Sequence, residues 1–148
     1  MHDRLPVPDA YEFHHIGYAT SSIERERAVF ESLGYSLESD VFEDPVQGIK
    51  GCFLGGVGPR IELLENLPGS TTLTPWIDAG IKMYHFAYWV DDIEVAIKWA
   101  REHRGKVTVQ PVQAVAFGGR RIGFVIFRNS FMLEFIERRV RKNSTGQE

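Results

Sequence analysis

The sequence predicts an α+β fold of two βαβββ modules that share one core. Three observations carry this prediction. Phe13-His14-His15-Ile16-Gly17-Tyr18-Ala19 superposes on Met83-Tyr84-His85-Phe86-Ala87-Tyr88-Trp89 at an offset of 70 residues, which also aligns Ile23 with Ile93 and Glu24 with Glu94. Each copy then has the same grammar: an apolar strand, a helix start at Ser21-x-x-Glu24 or Asp91-x-x-Glu94 in capping-box form, and an amphipathic helix ending near Gly34 or Gly105. Each half closes on a hairpin pattern, Gly51 to Leu54 followed by Ile61 to Glu65, and Gly123 to Ile126 followed by Leu133 to Glu137.

Between helix and hairpin there is room for one more strand, Tyr35 to Phe42 in the first half and Lys106 to Val109 in the second. The modules then run from about 11 to 67 and from about 82 to 138, with a linker at about 68–81 and a polar tail at 139–148. Thr74 before Pro75 is expected to cap a short linker helix, with proline at its first position. Halves of this size bury too little surface to stand alone, so one domain over residues 1–148 is expected. The basic group Arg138, Arg139, Arg141 and Lys142 reads as a solvated end, and Asn143-Ser144-Thr145 as a chance glycosylation match.

Composition narrows the partners. Seventeen Lys and Arg against twenty Asp and Glu give a net charge of −3, so no overall positive field recruits nucleic acid or an anionic membrane, and a small-molecule ligand is expected. No apolar run reaches the roughly 20 residues of a spanning helix, and Met1-His2-Asp3-Arg4 lacks the apolar stretch of a signal peptide, so a cytoplasmic location is expected. Cys52 is the only cysteine; it reads as core and excludes a structural cysteine-zinc site, leaving His and carboxylate as metal ligands.

Strand parity selects those ligands. His15 shares a face with Gly17 and Ala19, whose small side chains leave space beside the imidazole, while His14 is expected to point the other way. Glu62 stands between Ile61 and Leu63, and Glu134 between Leu133 and Phe135, so both carboxylates are mid-strand in apolar surroundings and need a partner or a cation. Glu65 and Glu137 fall on the opposite face near strand ends. Taken singly, each histidine reads as a hydrogen-bonded core residue and each glutamate as the partner of an arginine. Taken together at spacings of 47 and 49 residues, a pseudo-twofold relation gathers His15, Glu62, His85 and Glu134 into a two-nitrogen, two-oxygen set suited to one divalent Zn, Ni, Co, Fe or Mn ion.

The chain resembles the vicinal oxygen chelate superfamily, and within it methylmalonyl-CoA epimerases, with glyoxalase I as the next relative. The resemblance rests on His15-Ile16-Gly17, Asp44-Pro45-Val46-Gln47-Gly48, Ile61-Glu62-Leu63-Leu64, His85 to Ile93, Gly118-Gly119-Arg120-Arg121-Ile122-Gly123-Phe124 and Leu133-Glu134, in that order from Phe13 to Glu137. It implies a curved-sheet cleft between pseudo-twofold modules, a homodimer, and ligands at His15, Glu62, His85 and Glu134. It also implies a reaction in which a metal-stabilised enolate or enediolate forms as a proton leaves the carbon next to a carbonyl or thioester, an acyl thioester being one such substrate.

Two positions depart from the relatives. The epimerases carry a carboxylate where this chain has Val46, so Glu134 is the first choice for moving the proton and Asp44, two residues upstream of Val46, the second. Glyoxalase I carries an arginine where this chain has Ala19, while its asparagine is matched by Asn66. Gln47, Asn66, Arg120 and Arg121 are the expected substrate-binding residues, the two arginines holding an anionic group. A glyoxalase-like lyase, a metal-free drug-binding protein and a ring-cleaving dioxygenase are the alternatives. Four buried ligands argue against the second, and the second glutamate against the third.

Overall fold

The computed structural model describes residues 11–140, so the basic group beyond Val140 and the glycosylation match lie outside the described residues. The elements are β1 (Glu12–Ala19), α1 (Ile23–Ser32), β2 (Ser36–Leu37), β3 (Phe42–Asp44), β4 (Ile49–Gly55), β5 (Ile61–Asn66), α2 (Thr74–Asp78), β6 (Met83–Val90), α3 (Ile93–Glu102), β7 (Lys106–Gln113), β8 (Arg121–Ile126) and β9 (Met132–Glu137), with a 3₁₀ turn at Val115–Phe117. All nine strands join one curved, unclosed sheet in the order β2-β4-β5-β1-β6-β9-β8-β7, with β3 also on β4. This is the α+β fold that the repeat predicts. Among the described residues no helix is long and apolar enough to cross a membrane.

The repeat is visible in the pairing. β1 runs parallel to β5, with Ile16 opposite Ile61, and β6 runs parallel to β9, with Phe86 opposite Leu133. The modules meet where β1 and β6 pair antiparallel, within one chain. That seam is irregular at two equivalent places. The ladder steps from Phe13 to His15 and, on the other strand, from His85 to Met83, so His14 and Tyr84 are the extra residues of two β-bulges.

Alternation along each strand divides the core. Tyr18, Leu54, Ile61 and Leu63 pack under α1, while Val90, Val125 and Phe135 pack under α3. Leu64, Ala87, Phe124, Met132 and Ile136 form the opposite face, which is closed at one side by Leu73 and Trp76 of the linker. Cys52 is fully buried beneath α1.

Four local expectations are corrected. The strand expected at Tyr35 to Phe42 is two short pieces, because Ser39 Oγ accepts the Phe53 N–H at 3.0 Å and replaces a ladder carbonyl between them. The second extra strand continues past Val109 to Gln113. It lies at the sheet edge, where Pro111 leaves no interior ladder bond unmade. The helix caps fall one residue later than the capping boxes predict: Ser22 Oγ accepts the Arg25 N–H, and Asp92 accepts those of Glu94 and Val95. Strand-end glutamates supply the further caps, with Glu65 Oε1 accepting from Ile23 N–H and Glu137 Oε2 from Ile93 N–H, both at 3.1 Å. In the linker, Leu73 takes the cap position of α2, and Thr74 Oγ1 instead accepts from Asn66 Nδ2.

Candidate metal centre

Each module sends one imidazole and one carboxylate to the seam. His15 on β1 and His85 on β6 lie on adjacent strands, and Glu62 and Glu134 come from the parallel neighbours β5 and β9. All four are buried, at 0 to 4% exposure, and each offers an atom within 4.8 Å of the others. His15 Nε2 is 3.2 Å from His85 Nε2, from Glu62 Oε1 and from Glu134 Oε1. His85 Nε2 is 3.2 Å from Glu134 Oε1 and 4.0 Å from Glu62 Oε1.

Four of these five separations, those at 3.2 Å, are those of neighbouring donors around one small cation. Two bonds of about 2.1 Å to a shared ion place their donor atoms about 3.0 to 3.4 Å apart as the angle opens from square to tetrahedral. Glu134 Oε1 is buried and faces the two imidazole Nε2 atoms at 3.2 Å, which aims it at the same centre. Gly17 completes the cradle, since a Cβ there would overlap the His85 ring. The space that the sequence assigns beside His15 is thus filled by the second imidazole, and the residues present fit a divalent ion.

Charge binds the group even without metal. Burial alone would lower His15, but the carboxylates of Glu62 and Glu134 raise it to about 9. Burial alone would raise Glu134, but His15 and His85 lower it to about 2. His15 is sandwiched by Phe117, stacked at 6.0 Å, and by Phe53, edge-on at 5.4 Å.

A cavity of about 520 Å³ opens from this cluster. Of the four ligating candidates only Glu62 and Glu134 line it, while the buried imidazoles lie behind them. Tyr84, Trp76, Phe124 and Met132 supply apolar wall, and Val46 stands at the rim, 74% exposed.

The other predicted residues separate. Gln47 lines the cavity, with its Nε2 donating to Asp44 Oδ2 at 2.9 Å. Asp44 is fully buried outside the cavity lining, and its carboxylate accepts from Gln47 N–H, Gln47 Nε2 and Val115 N–H. It ties the turn after β3 to the 3₁₀ turn of the other module. Asn66 holds Leu73 N–H and Thr74 Oγ1, away from the cavity. Arg120 lies over Trp89 and donates to the carbonyls of Phe117 and Arg138, while Arg121 pairs with Glu94 and Glu137. The structure therefore does not bring Asp44, Asn66, Arg120 or Arg121 to the site.

Three features escaped sequence reasoning. His14 does not point away: its bulge turns the ring toward the same side as His15, with the two Nδ1 atoms 2.7 Å apart. Burial first, then the charges of His15 and Arg60, lower its pKa to about 4. Tyr84, the equivalent bulge residue, meets His85 edge-on at 4.5 Å, and burial followed by the charges of Glu62 and Glu134 pushes its hydroxyl pKa well up. The third is a depression beside the cavity, lined by Arg104, Lys106 and Arg128 and sharing Ile126 with it. None of these three cations has a carboxylate partner among the described residues.

Fold and site together define a class: a paired-module protein whose curved sheet presents a buried imidazole and carboxylate set to a cavity. Residues 14–124 match the family described as the Glyoxalase/Bleomycin resistance protein/Dioxygenase superfamily, and the chain belongs to that superfamily, the vicinal oxygen chelate group that its motifs resemble. Among solved structures it is similar to a hypothetical protein of Bacillus halodurans C-125, with 26% identity, TM-score 0.76, and coverage of 92% of this chain and 100% of that one. It is also similar to methylmalonyl-CoA epimerase of Mycobacterium tuberculosis, with 20% identity, TM-score 0.69 and coverage of 84% and 86%. A third is a Streptomyces coelicolor methylmalonyl-CoA epimerase variant in complex with 2-nitronate-propionyl-CoA, with 18% identity, TM-score 0.68 and coverage of 84% and 95%. At these identities the epimerases show the fold. No curated protein matches the chain in sequence.

Proposed function

We propose that the chain is a metal-dependent isomerase of the epimerase type, moving a proton on the carbon next to a carbonyl or thioester. The observation that carries this is the convergence of His15, His85, Glu62 and Glu134 beside a cavity that only the two carboxylates reach. His15, Glu62, His85 and Glu134 would hold a divalent cation, which would supply Lewis-acid stabilisation of several kcal/mol as negative charge develops on the substrate.

The remaining work falls to the chain. Glu134 reaches the cavity and, once released from the cation it would help to hold, takes the proton from the substrate carbon. Trp76, Phe124 and Met132 exclude water from the carbon, and Gln47 is placed to contact a substrate oxygen. No carboxylate stands at Val46, so the proton leaves and returns through Glu134, and inversion requires the planar enolate to turn its other face to that carboxylate before the proton returns. Arg104, Lys106 and Arg128 replace Arg120 and Arg121 as the cations available to an anionic carrier at the cavity mouth. Assembly as a homodimer and a single domain are part of the same proposal. A lyase of the glyoxalase type gains no support from Ala19, which is buried, or from Asn66, which ends β5 with its side chain taken up by the linker residues Leu73 and Thr74.

The experiment is elemental analysis of the purified chain, followed by solvent deuterium exchange into 2-substituted acyl thioesters and hemithioacetals. About one divalent ion per chain and exchange into the thioesters is the expected result. A metal-free chain that exchanges no substrate would overturn the proposal.

A further inference from the structure

The bulge before His15 brings a fifth ring nitrogen close to the donor cluster, and the distance is too short to be packing. We propose that His14 is a positioning residue for metal uptake: its Nδ1 accepts the Nδ1–H of His15 and so aims the His15 Nε2 lone pair at Glu62, Glu134 and His85. This rests on the metal reading above.

Two ring nitrogens 2.7 Å apart must have one proton between them, because two lone pairs or two N–H groups would repel at that distance. A cation on His15 Nε2 leaves the His15 proton on Nδ1, so His14 is the acceptor and carries its own proton on Nε2. The acceptor is fixed from several sides. Arg60 Nη1 donates to the His14 carbonyl at 2.9 Å and pins the bulge. The His14 ring meets Phe53, Trp89 and Phe117 edge-on at 5.2 to 5.6 Å, so it cannot swing from the contact. Metal-binding histidines commonly need such a partner on the second nitrogen, which sets tautomer and ring orientation.

The other module shows what is special here. The residue equivalent to His14 is Tyr84, whose ring meets His85 edge-on, and His85 Nδ1 is buried with no hydrogen-bond partner. His85 is held by shape, between Gly17, Tyr84 and Phe124, whereas His15 is held by a directed hydrogen bond. Two ligands at repeat-related positions are therefore oriented by different means, and removing His14 acts on His15 alone.

The test measures zinc binding by the full-length chain in competition with a chromophoric chelator, for wild type, His14→Phe and His14→Asn. Phenylalanine keeps an aromatic ring and removes the acceptor, while the asparagine oxygen stands near the position of the imidazole Nδ1. His14→Phe is expected to bind zinc roughly 10- to 100-fold more weakly, with His14→Asn recovering most of the loss. Nitrogen-15 spectra of the zinc-loaded wild type read the same bond without a variant, and a slowly exchanging proton on His15 Nδ1 with a bare His14 Nδ1 is expected. Unchanged affinity in His14→Phe, no recovery in His14→Asn, or a proton on His14 Nδ1 overturns the inference while leaving the metal centre standing. A wild-type chain that takes up no zinc removes the metal reading, and this inference with it.

Discussion

The imidazole of His85 lies over the α-carbon of Gly17, its register partner across the seam between β1 and β6. No side chain fits between them, so a single methyl group at position 17 must move the ring. Gly17→Ala is expected to retain the folded circular dichroism spectrum and to lose zinc affinity by roughly 10-fold or more. Wild-type affinity in that variant would show that His85 does not hold the ion.

Glu134 and Asp44 separate chemistry from architecture. Glu134→Gln is expected to lower proton exchange by roughly 10²-fold or more, the scale of a positioned base. Asp44→Asn, which disturbs three hydrogen bonds, one of them between the modules, is expected to cost about 1 to 3 kcal/mol of stability and to leave turnover of the folded enzyme nearly unchanged. A large fall in turnover with unaltered stability would return Asp44 to the chemistry.

In the metal-free chain His15 titrates near 9, above its ordinary 6.5, so its contribution is complete below 6.5 and is lost as pH rises through 9. Glu134 titrates near 2, below its ordinary 4.5, so its contribution is present above 4.5 and is lost as pH falls toward 2. Urea midpoints of the metal-free chain are expected to be highest between these limits, at pH 4.5 to 6.5 as far as this cluster sets them. Saturating zinc, which takes the place of the proton, is expected to flatten the alkaline fall. An alkaline fall that zinc leaves unchanged would place its origin elsewhere.

Glu65 joins the end of β5 to the start of α1, accepting from Ile23 N–H and pairing with Lys50. Glu65→Ala is expected to lower stability by about 1 kcal/mol, the usual effect of a lost N-terminal cap, with metal content unchanged. Calorimetry with metal analysis on one sample checks both.

Arg104, Lys106 and Arg128 together give the carrier proposal a direct test. Their joint replacement by alanine is expected to raise KM roughly 10-fold for a phosphorylated thioester at low salt, and to leave a short uncharged thioester unaffected. Equal effects on both substrates would assign the cations to structure.

The repeat made the module pairing and the four converging side chains readable in the sequence, because parity and an offset of 70 residues are properties of the chain alone. Parity misled at His14, where one extra residue in the ladder reverses the face, and nothing in Phe13-His14-His15 signals a bulge. Arg120 and Arg121 were misread for another reason. A glycine pair followed by arginines has the composition of an anion-binding turn, but Glu94, Glu137 and the Arg138 carbonyl, which hold these arginines together with the nearby Phe117 carbonyl, lie 16 to 27 residues away in sequence. Asp44 was drawn to the chemistry by its nearness to Val46. One of the three donors to its carboxylate is Val115 N–H, 71 residues on, which no local pattern displays.

The seam between β1 and β6 joins the two halves of one sheet, and the donors sit two on each side of it. An ion bound there is a rivet across the joint. At a free concentration 100 times its dissociation constant it would add about 2.7 kcal/mol against separation of the halves, concentrated on a few residues of two strands. Metal binding would therefore harden this line of the sheet more than its outer edges at β2 and β7, and loss of the ion would be felt first along the chain's own axis of symmetry.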